Sequence, residues 1–217
     1  MSPQRIGRYY NSCNHHVLKT LSLYHANIRL SQAFLPVLSY FEVVLRNRID
    51  LHYRIRFVQS AGKPDWLLAA ARPGGFFAKN GCLSSSEKIL EASARLGAKY
   101  THDRLVAELS FGFWRFMFAG KQYQAAGNTL LAIFPYLPPR QNQTFIYQKL
   151  KRINSIRNRI AHHEPICFGG ANAISASYAR SHFQEITDIL GYMNIDSRQL
   201  FQGFNSLLNE ANYIDNI

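Results

Sequence analysis

Cysteine, acidic residues and long apolar runs are all scarce in this chain of 217 residues, and each shortage excludes a class of protein. The three cysteines, Cys13, Cys82 and Cys167, are odd in number and far apart, which fits neither a disulfide framework nor a zinc-finger spacing. The first residues lack the apolar stretch of a signal peptide. The uncharged apolar run at 31–41 is shorter than the roughly 18–20 residues that span a bilayer. We therefore expect a cytoplasmic protein without a membrane segment.

The shortage of acidic residues is concentrated in one part of the chain. Lys and Arg number 25 against 13 Asp and Glu, which gives a formal net charge of +12. Residues 1–163 carry a net charge of +16 and residues 164–217 a net charge of −4, and no acidic residue occurs from 110 to 163. Charge concentrated in this way usually indicates a polyanionic partner, nucleic acid first and an acidic membrane second. A basic surface that only confers solubility is the alternative.

Apolar residues recur with helical spacing along almost the whole chain, and no stretch alternates cleanly with period two. Two stripes, at 38–49 and 146–160, advance by three or four residues, as the buried face of a helix requires. Pro36 marks either the first turn of the first of these helices or a kink in a longer one. Two further helices are expected at 175–192 and 197–209.

These patterns predict an all-α helical bundle that forms a single domain over residues 1–217. Residues 62–83 are rich in Gly and Pro and predict an irregular insert, in which Trp66 is expected to be a packing anchor. Residues 175–217 are expected to form a helical extension at the C-terminal end.

One short motif carries the chemistry that the sequence suggests. The chain has no GxxxxGK[ST] phosphate loop, no GxSxG nucleophile elbow and no HExxH zinc motif. What remains is the run Arg-Asn-Arg-Ile-Ala-His-His at 157–163. An imidazole titrates near neutral pH and can take the proton of a ribose 2′-hydroxyl, while a guanidinium can hold two phosphate oxygens as charge develops. Such a pair therefore suits metal-independent cleavage of RNA. The spacing alone is a weak signal, because a second Arg-to-His pair, Arg46 and His52, occurs in the same chain. The alternative for Arg157 is an ordinary solvated helix face, and the alternative for His162 is a residue at the C-terminal end of a helix that the helix dipole favours.

The spacing within the motif raises a geometric question. On an ideal helix Arg157 and His162 point about 140° apart, whereas Asn158 and His162 share a face. Either the last turn of the helix is distorted or the two groups meet across a dimer axis. A symmetric homodimer would bring two Arg–His pairs into one cleft.

The motif is the last of several blocks that together resemble the Abi-like (AbiD/AbiF-type) proteins of the HEPN superfamily. The blocks run in the expected order from about residue 20 to 166: Tyr24-x-x-Asn27, Leu30-Ser31-x-Ala33-Phe34, the stretch 41–49 (FEVVLRNRI), the stretch 108–114 (ELSFGFW), Phe134-Pro135 and the stretch 156–166 (IRNRIAHHEPI).

The resemblance implies a HEPN-type helical bundle with additional helices, a homodimer, no cofactor and no metal, and endoribonuclease activity at an Arg-x4-6-His motif. Members of the family serve as toxins in abortive-infection or toxin–antitoxin phage defence, and some are bound by small RNAs. Carried over, Arg157 and His162 match the Arg and His of the motif, and Asn158 is its polar follower. His163 also satisfies the spacing, so either histidine is a candidate for proton transfer.

Two further sets of residues complete the expected site. Glu42, Arg46 and Asn47 match the family's first long block and are expected beside the motif as supporting residues. RNA phosphates are expected to contact four basic residues in or before the motif, Lys149, Lys151, Arg152 and Arg159.

The leading hypothesis is thus a toxin that cuts single-stranded or loop RNA and leaves a 2′,3′-cyclic phosphate. The alternatives are a HEPN protein that holds a small RNA without cutting it and a regulatory scaffold that acts through a protein partner.

Overall fold

The computed structural model describes residues 3–61, 65–79, 81–170, 173–203 and 206–217. Eleven α-helices and no strand occur in these ranges, and 72% of the chain is helical, which confirms the prediction of an all-α fold. The helices are α1 (Pro3–Ser12), α2 (Val17–Ala61), α3 (Trp66–Ala71), α4 (Leu83–Leu96), α5 (His102–Glu108), α6 (Phe111–Phe116), α7 (Gly120–Ala125), α8 (Gln143–Ala161), α9 (Ser177–Tyr192), α10 (Ser197–Leu200) and α11 (Ser206–Asp215).

The first predicted stripe lies in the second half of α2, a helix of 45 residues with Pro36 in its interior. Pro36 therefore sits within a longer helix and not in a first turn. The apolar residues of the stripe at 38–49 are buried, as its periodicity predicts. Because proline has no N–H, the carbonyl oxygen of Gln32 loses the donor that the next helical turn would supply.

Other helix boundaries follow the sequence less closely. The stripe at 146–160 is the buried face of α8, and α9 matches the predicted third helix. The helix expected at 197–209 is instead two helices, α10 and α11, and Gly203 between them has a φ of 92°. This left-handed backbone conformation cannot continue an α-helix.

The predicted insert is only partly irregular. It contains the short helix α3, which begins at Trp66 and is capped by Asp65, whose Oδ1 accepts a hydrogen bond from the Leu68 N–H at 3.1 Å. Trp66 is fully buried, which confirms it as a packing anchor. Residues 62–64 and 80 of the predicted insert lie outside the described residues.

The chain divides into two compact units, each with its own core. The first unit combines both ends of the chain, residues 1–41, 152–191 and 195–217. The second unit comprises residues 42–151 and 192–194. The C-terminal helices α9 and α11 thus belong to the same unit as the first half of α2, to which α11 is joined by an ion pair between Arg29 and Glu210 at 2.9 Å.

The part of α2 from Val17 to Phe57 is long and apolar enough to span a membrane by length and composition alone. Its most apolar window has a mean hydropathy of 1.3, and a third of that window is buried inside the protein. The core helices of soluble proteins pass the same test, so the finding is weak evidence for a membrane segment.

Candidate functional site

The candidate catalytic motif lies at the C-terminal end of α8. The helix ends at Ala161, and His162 and His163 form the turn that follows it. The N–H of His163 donates to the carbonyl of Ile160 at 3.1 Å, and the N–H of Glu164 donates to the carbonyl of Arg159 at 2.8 Å. These two bonds form the pair that defines a Schellman motif, in which His162 is the C-cap and His163 the residue after it.

The residue after the cap in such a motif is usually glycine, because its φ is positive. His163 has a φ of 56°, so a bulky side chain occupies a position that favours glycine. A left-handed conformation at a residue other than glycine costs roughly 1–2 kcal/mol. The sequence pattern therefore places an imidazole there at an energetic cost, as is common at functional sites.

The segment after the motif is held firmly against the first half of α2. The Oδ1 of Asn27, a buried residue of α2, accepts a hydrogen bond from the N–H of Ile166 at 2.8 Å. The guanidinium of Arg159 donates to the carbonyl of Pro165 at 3.3 Å. The turn that carries both histidines is thus anchored at both ends, by α8 before it and by Asn27 after it.

Within this frame the four predicted catalytic residues differ in exposure. Arg157 is half-buried, whereas Asn158, His162 and His163 are exposed. The N–H of His162 still donates to the carbonyl of Asn158 at 2.9 Å, as in a regular helix. The helical geometry thus persists as far as the backbone N–H of His162, and the departure from it begins at His163.

The four basic residues expected to bind phosphates are not equivalent. Lys151 is exposed, and Arg152 is exposed but paired with Glu185. Arg159 lies with its guanidinium 4.8 Å from the ring of Tyr178. Lys149 is buried, and its ammonium group lies 5.4 Å from the Phe145 ring. It shares the buried face of α8 with Ile146 and Ile153. A buried lysine is poorly placed to contact a phosphate at the surface, so its burial argues against the predicted phosphate contact of Lys149.

The supporting residues of the first family block belong to the second unit. Glu42 is half-buried, and the Nε of Arg46 is buried without a hydrogen-bond partner among the described residues. Arg46 and Asn47 line a pocket of about 430 Å³ together with Asp50 and Arg54. The expectation that Glu42, Arg46 and Asn47 lie beside the motif stays a prediction.

A groove of about 620 Å³ opens beside the motif within the first unit. One wall is a face of α2, and the other is the end of α8 with the turn after it. The groove is lined by Tyr24, Asn27, Ile28, Ser31, Gln32, Leu35, Ile160, Ala161 and His163. His162 is therefore flanked in the chain by two groove residues. No sequence pattern predicts this groove, although Tyr24 and Asn27 belong to one of the family blocks.

A second polar cluster lies in the other unit, and no sequence pattern predicts it. His102, at the start of α5, lies between two aspartates: its Nε2 donates to Asp50 Oδ1 at 2.7 Å, and its Nδ1 is 3.2 Å from Asp65 Oδ1. The second contact is an ion pair without hydrogen-bond geometry. The indole N–H of Trp66 also donates to Asp50 at 2.8 Å, and the hydroxyl of Tyr100 donates to Asp65.

Each charged group in this cluster shifts the pKa of its partner so that both remain charged. Burial alone would lower the pKa of His102, but its contacts with Asp50 and Asp65 outweigh burial and raise the pKa to about 9. Burial would likewise raise the pKa of each aspartate, but the contacts with His102 and the hydrogen bonds from neighbouring residues hold both pKa values below the ordinary value. His102 is therefore a cation held between two carboxylates at neutral pH. We call these three residues the Asp–His–Asp clamp.

The aromatic residues near Gly112 belong mainly to the core. Phe111, Phe113, Trp114 and Phe118 are buried. Phe116 is half-buried, with the Arg115 guanidinium 4.6 Å from its ring. Base stacking on the four buried rings is therefore excluded without a rearrangement of the core.

Within the described ranges, no group of three or more His, Cys, Asp or Glu side chains is arranged to hold a metal ion. Comparisons of the chain with protein-family models, with curated proteins and with solved structures find no match.

Proposed function

We propose that this protein is a metal-independent endoribonuclease of the Abi-like HEPN type, which acts as a toxin in phage defence and cuts RNA at the turn after α8. The observation that carries the proposal is the position of His162 on an exposed, doubly anchored turn, five residues after Arg157. The family blocks described above supply the biological context.

The mechanism assigns one role to each group. The imidazole of His162 takes the proton of the ribose 2′-hydroxyl, and the resulting oxygen attacks the neighbouring phosphorus. The guanidinium of Arg157 binds the phosphate oxygens as negative charge accumulates on them. The bond to the 5′-oxygen then breaks, and that oxygen takes a proton from water while His162 releases its own proton to solvent. The products carry a 2′,3′-cyclic phosphate and a 5′-hydroxyl. Asn158 shares the helix face of His162 and can orient the ring or the phosphate.

A homodimer remains part of the proposal because α8 is regular up to His162. On a regular helix Arg157 and His162 diverge, so one phosphate is contacted most simply by Arg157 of one protomer and His162 of its partner. The stripes at 38–49 and 146–160 are buried within the protomer. An interface between two copies therefore has to use exposed residues around the motif, among them Asn158 and His162.

The decisive experiment compares RNA cleavage by the purified wild-type protein with that of Arg157→Ala and His162→Ala. Each substitution should reduce cleavage by at least about a hundredfold while leaving the melting temperature unchanged. Arg198→Ala and His25→Ala change the same residue types at exposed positions outside the motif and should keep full activity. Products should carry a free 5′-hydroxyl that polynucleotide kinase labels directly.

Two results would contradict the mechanism. Activity that EDTA abolishes and a divalent ion restores would require a metal. Tight, salt-sensitive RNA binding without any cleavage would favour the non-catalytic RNA-holding protein instead. Mixing Arg157→Ala with His162→Ala protomers tests the composite site, because one intact Arg–His pair is regenerated in a mixed dimer and cleavage should partly return.

A further inference from the structure

We infer that the groove between α2 and the end of α8 binds the unpaired nucleobase of the nucleotide whose 2′-hydroxyl is attacked. This inference rests on the proposed function and assigns a base-recognition subsite to the same site. Its volume of about 620 Å³ lies within the range of small-ligand pockets and accommodates a base with its ribose.

The lining has the chemistry that single-stranded RNA requires. Tyr24 supplies an aromatic ring, and Ile28 and Leu35 supply apolar walls on which a planar base can stack. Gln32 is exposed and supplies an amide group that can pair with the Watson–Crick edge of a base. Among the described residues that line the groove none carries a carboxylate, so the lining itself does not repel the adjoining phosphates.

The backbone of α2 adds one further acceptor near the groove. Because residue 36 is proline, the carbonyl oxygen of Gln32 loses the donor that position 36 of a regular helix supplies. A carbonyl that loses this donor can accept a hydrogen bond from an exocyclic amine of a base. The proline in the interior of α2 thus frees a backbone acceptor at a residue that lines the groove.

The position of the groove links it to the cleavage step. Ala161 and His163 line it, and His162 lies between them in the chain. Consecutive Cα atoms are only about 3.8 Å apart, so a base in the groove lies next to the residue proposed to deprotonate its own ribose. His163 contributes to the wall of this groove, a role that accounts for an imidazole at a position where glycine is favoured.

A helix from a second copy of the chain is the rival occupant. Leu21, Ile28 and Leu35 are exposed and recur every seven residues, as in the seam of a coiled coil. A helix packed there would bury Ser31, Gln32 and His163 against apolar side chains, which is costly for polar groups left without partners. The mixed lining therefore favours a base over a helix.

The test uses DNA oligonucleotides that contain one ribonucleotide, so that only one position can be cut. Five substrates differ only at that nucleotide, which carries adenine, guanine, cytosine, uracil or no base. We expect kcat/KM for the best base to exceed that for the abasic substrate by about tenfold or more. Gln32→Leu should compress the differences among the four bases to about threefold without lowering cleavage of the abasic substrate. Gln124→Leu, a matched change at an exposed position outside the groove, should leave them unchanged.

A binding measurement separates this inference from the proposed function. A 2-aminopurine at the same nucleotide, with a 2′-methoxy group that blocks cleavage, should lose fluorescence on binding, and Tyr24→Leu and Gln32→Leu should weaken that quenching. Equal cleavage of all five substrates by a protein that Arg157→Ala inactivates would overturn the base subsite and leave the nuclease intact. Quenching without cleavage would support the subsite and refute the nuclease. Sedimentation could instead show that Ile28→Gln converts a dimer to monomers, while all five substrates are cleaved equally. That result would assign the groove to a second copy of the chain and overturn the inference.

Discussion

Replacing His102 with Gln should remove most of the pH dependence of stability of the second unit between pH 7 and 8.5. Gln can still donate a hydrogen bond to Asp50, but it carries no charge between the two aspartates of the Asp–His–Asp clamp. The substitution therefore isolates the ionic part of the clamp. Only 13% of the His102 side chain is exposed, so solvent screens this charge weakly.

The magnitude follows from the pKa of His102, which rises from an ordinary 6.5 to about 9 in the folded protein. A tenfold change in proton affinity corresponds to about 1.4 kcal/mol, so the protonated ring stabilises the fold by about 3 kcal/mol. Because the folded pKa is the higher one, this stabilisation is complete below pH 6.5 and is lost as the pH rises through 9. Between pH 7 and 8.5 the free energy of unfolding should fall by about 2 kcal/mol.

The two aspartates of the clamp act at the opposite end of the pH scale. Their pKa values are lowered in the folded protein, so their stabilisation is present above about pH 4 and is lost as the pH falls below that value. The clamp is therefore strongest between about pH 4 and 6.5.

Urea unfolding at four pH values from 7 to 8.5, followed by tryptophan fluorescence, measures the effect directly. Both tryptophans, Trp66 and Trp114, lie in the second unit and report on it. His52→Gln is the matched control, because burial lowers the pKa of His52 and its titration falls below this pH window. Buried Cys82 and Cys167 have raised pKa values, so their unfolded thiols affect stability mainly above pH 9. A His102→Gln protein whose stability falls with pH as steeply as that of the wild type would refute a charged clamp.

Three further predictions concern the motif and its surroundings. Asn27→Ala should lower the free energy of unfolding by about 1–3 kcal/mol, because the Ile166 N–H loses its buried acceptor, whereas Asn47→Ala at an exposed site should change it little in the same urea titration. His163→Gly should raise the melting temperature, since glycine adopts a φ of 56° without strain, and should impair cleavage less than His162→Ala does; a lower melting temperature would contradict the strained turn. Lys151→Glu should weaken RNA binding and reduce the slope of log Kd against log salt by about one or more, and an unchanged slope would place the RNA elsewhere.

The sequence predicted the long helices well because their stripes are buried. A helix that hides one face in the core has to repeat apolar residues every three or four positions, and the residues at 146–160 do so without interruption. The turn at Gly203 was missed because the apolar pattern continues across it, and a single glycine in a helical pattern is only a weak signal of a break.

The Asp–His–Asp clamp and the buried Lys149 could not be predicted for a different reason. Asp50, Asp65 and His102 are far apart in the sequence, and each alone is an ordinary polar residue, so only the packing of α2, α3 and α5 brings them together. Lys149 was expected at the surface as a phosphate contact, but the residue is buried and its ammonium group lies 5.4 Å from the Phe145 ring. In both cases tertiary contacts, and not the local sequence, determine where the side chains lie.

The composition of the first unit has a consequence for synthesis on the ribosome. Residues 1–41 leave the ribosome early, but the segment that carries Arg157 and His162 and packs in the same unit follows only after the 110 residues from 42 to 151. At 5–20 residues per second, translation from residue 42 to residue 191 takes roughly 8–30 s. Throughout that interval the anchoring bond between Asn27 and Ile166 cannot be complete, because one of its partners is still being made or is still in the ribosomal exit tunnel. Under the proposed function, the nuclease would stay inactive while it is nascent, and an antitoxin would have that interval in which to reach the chain.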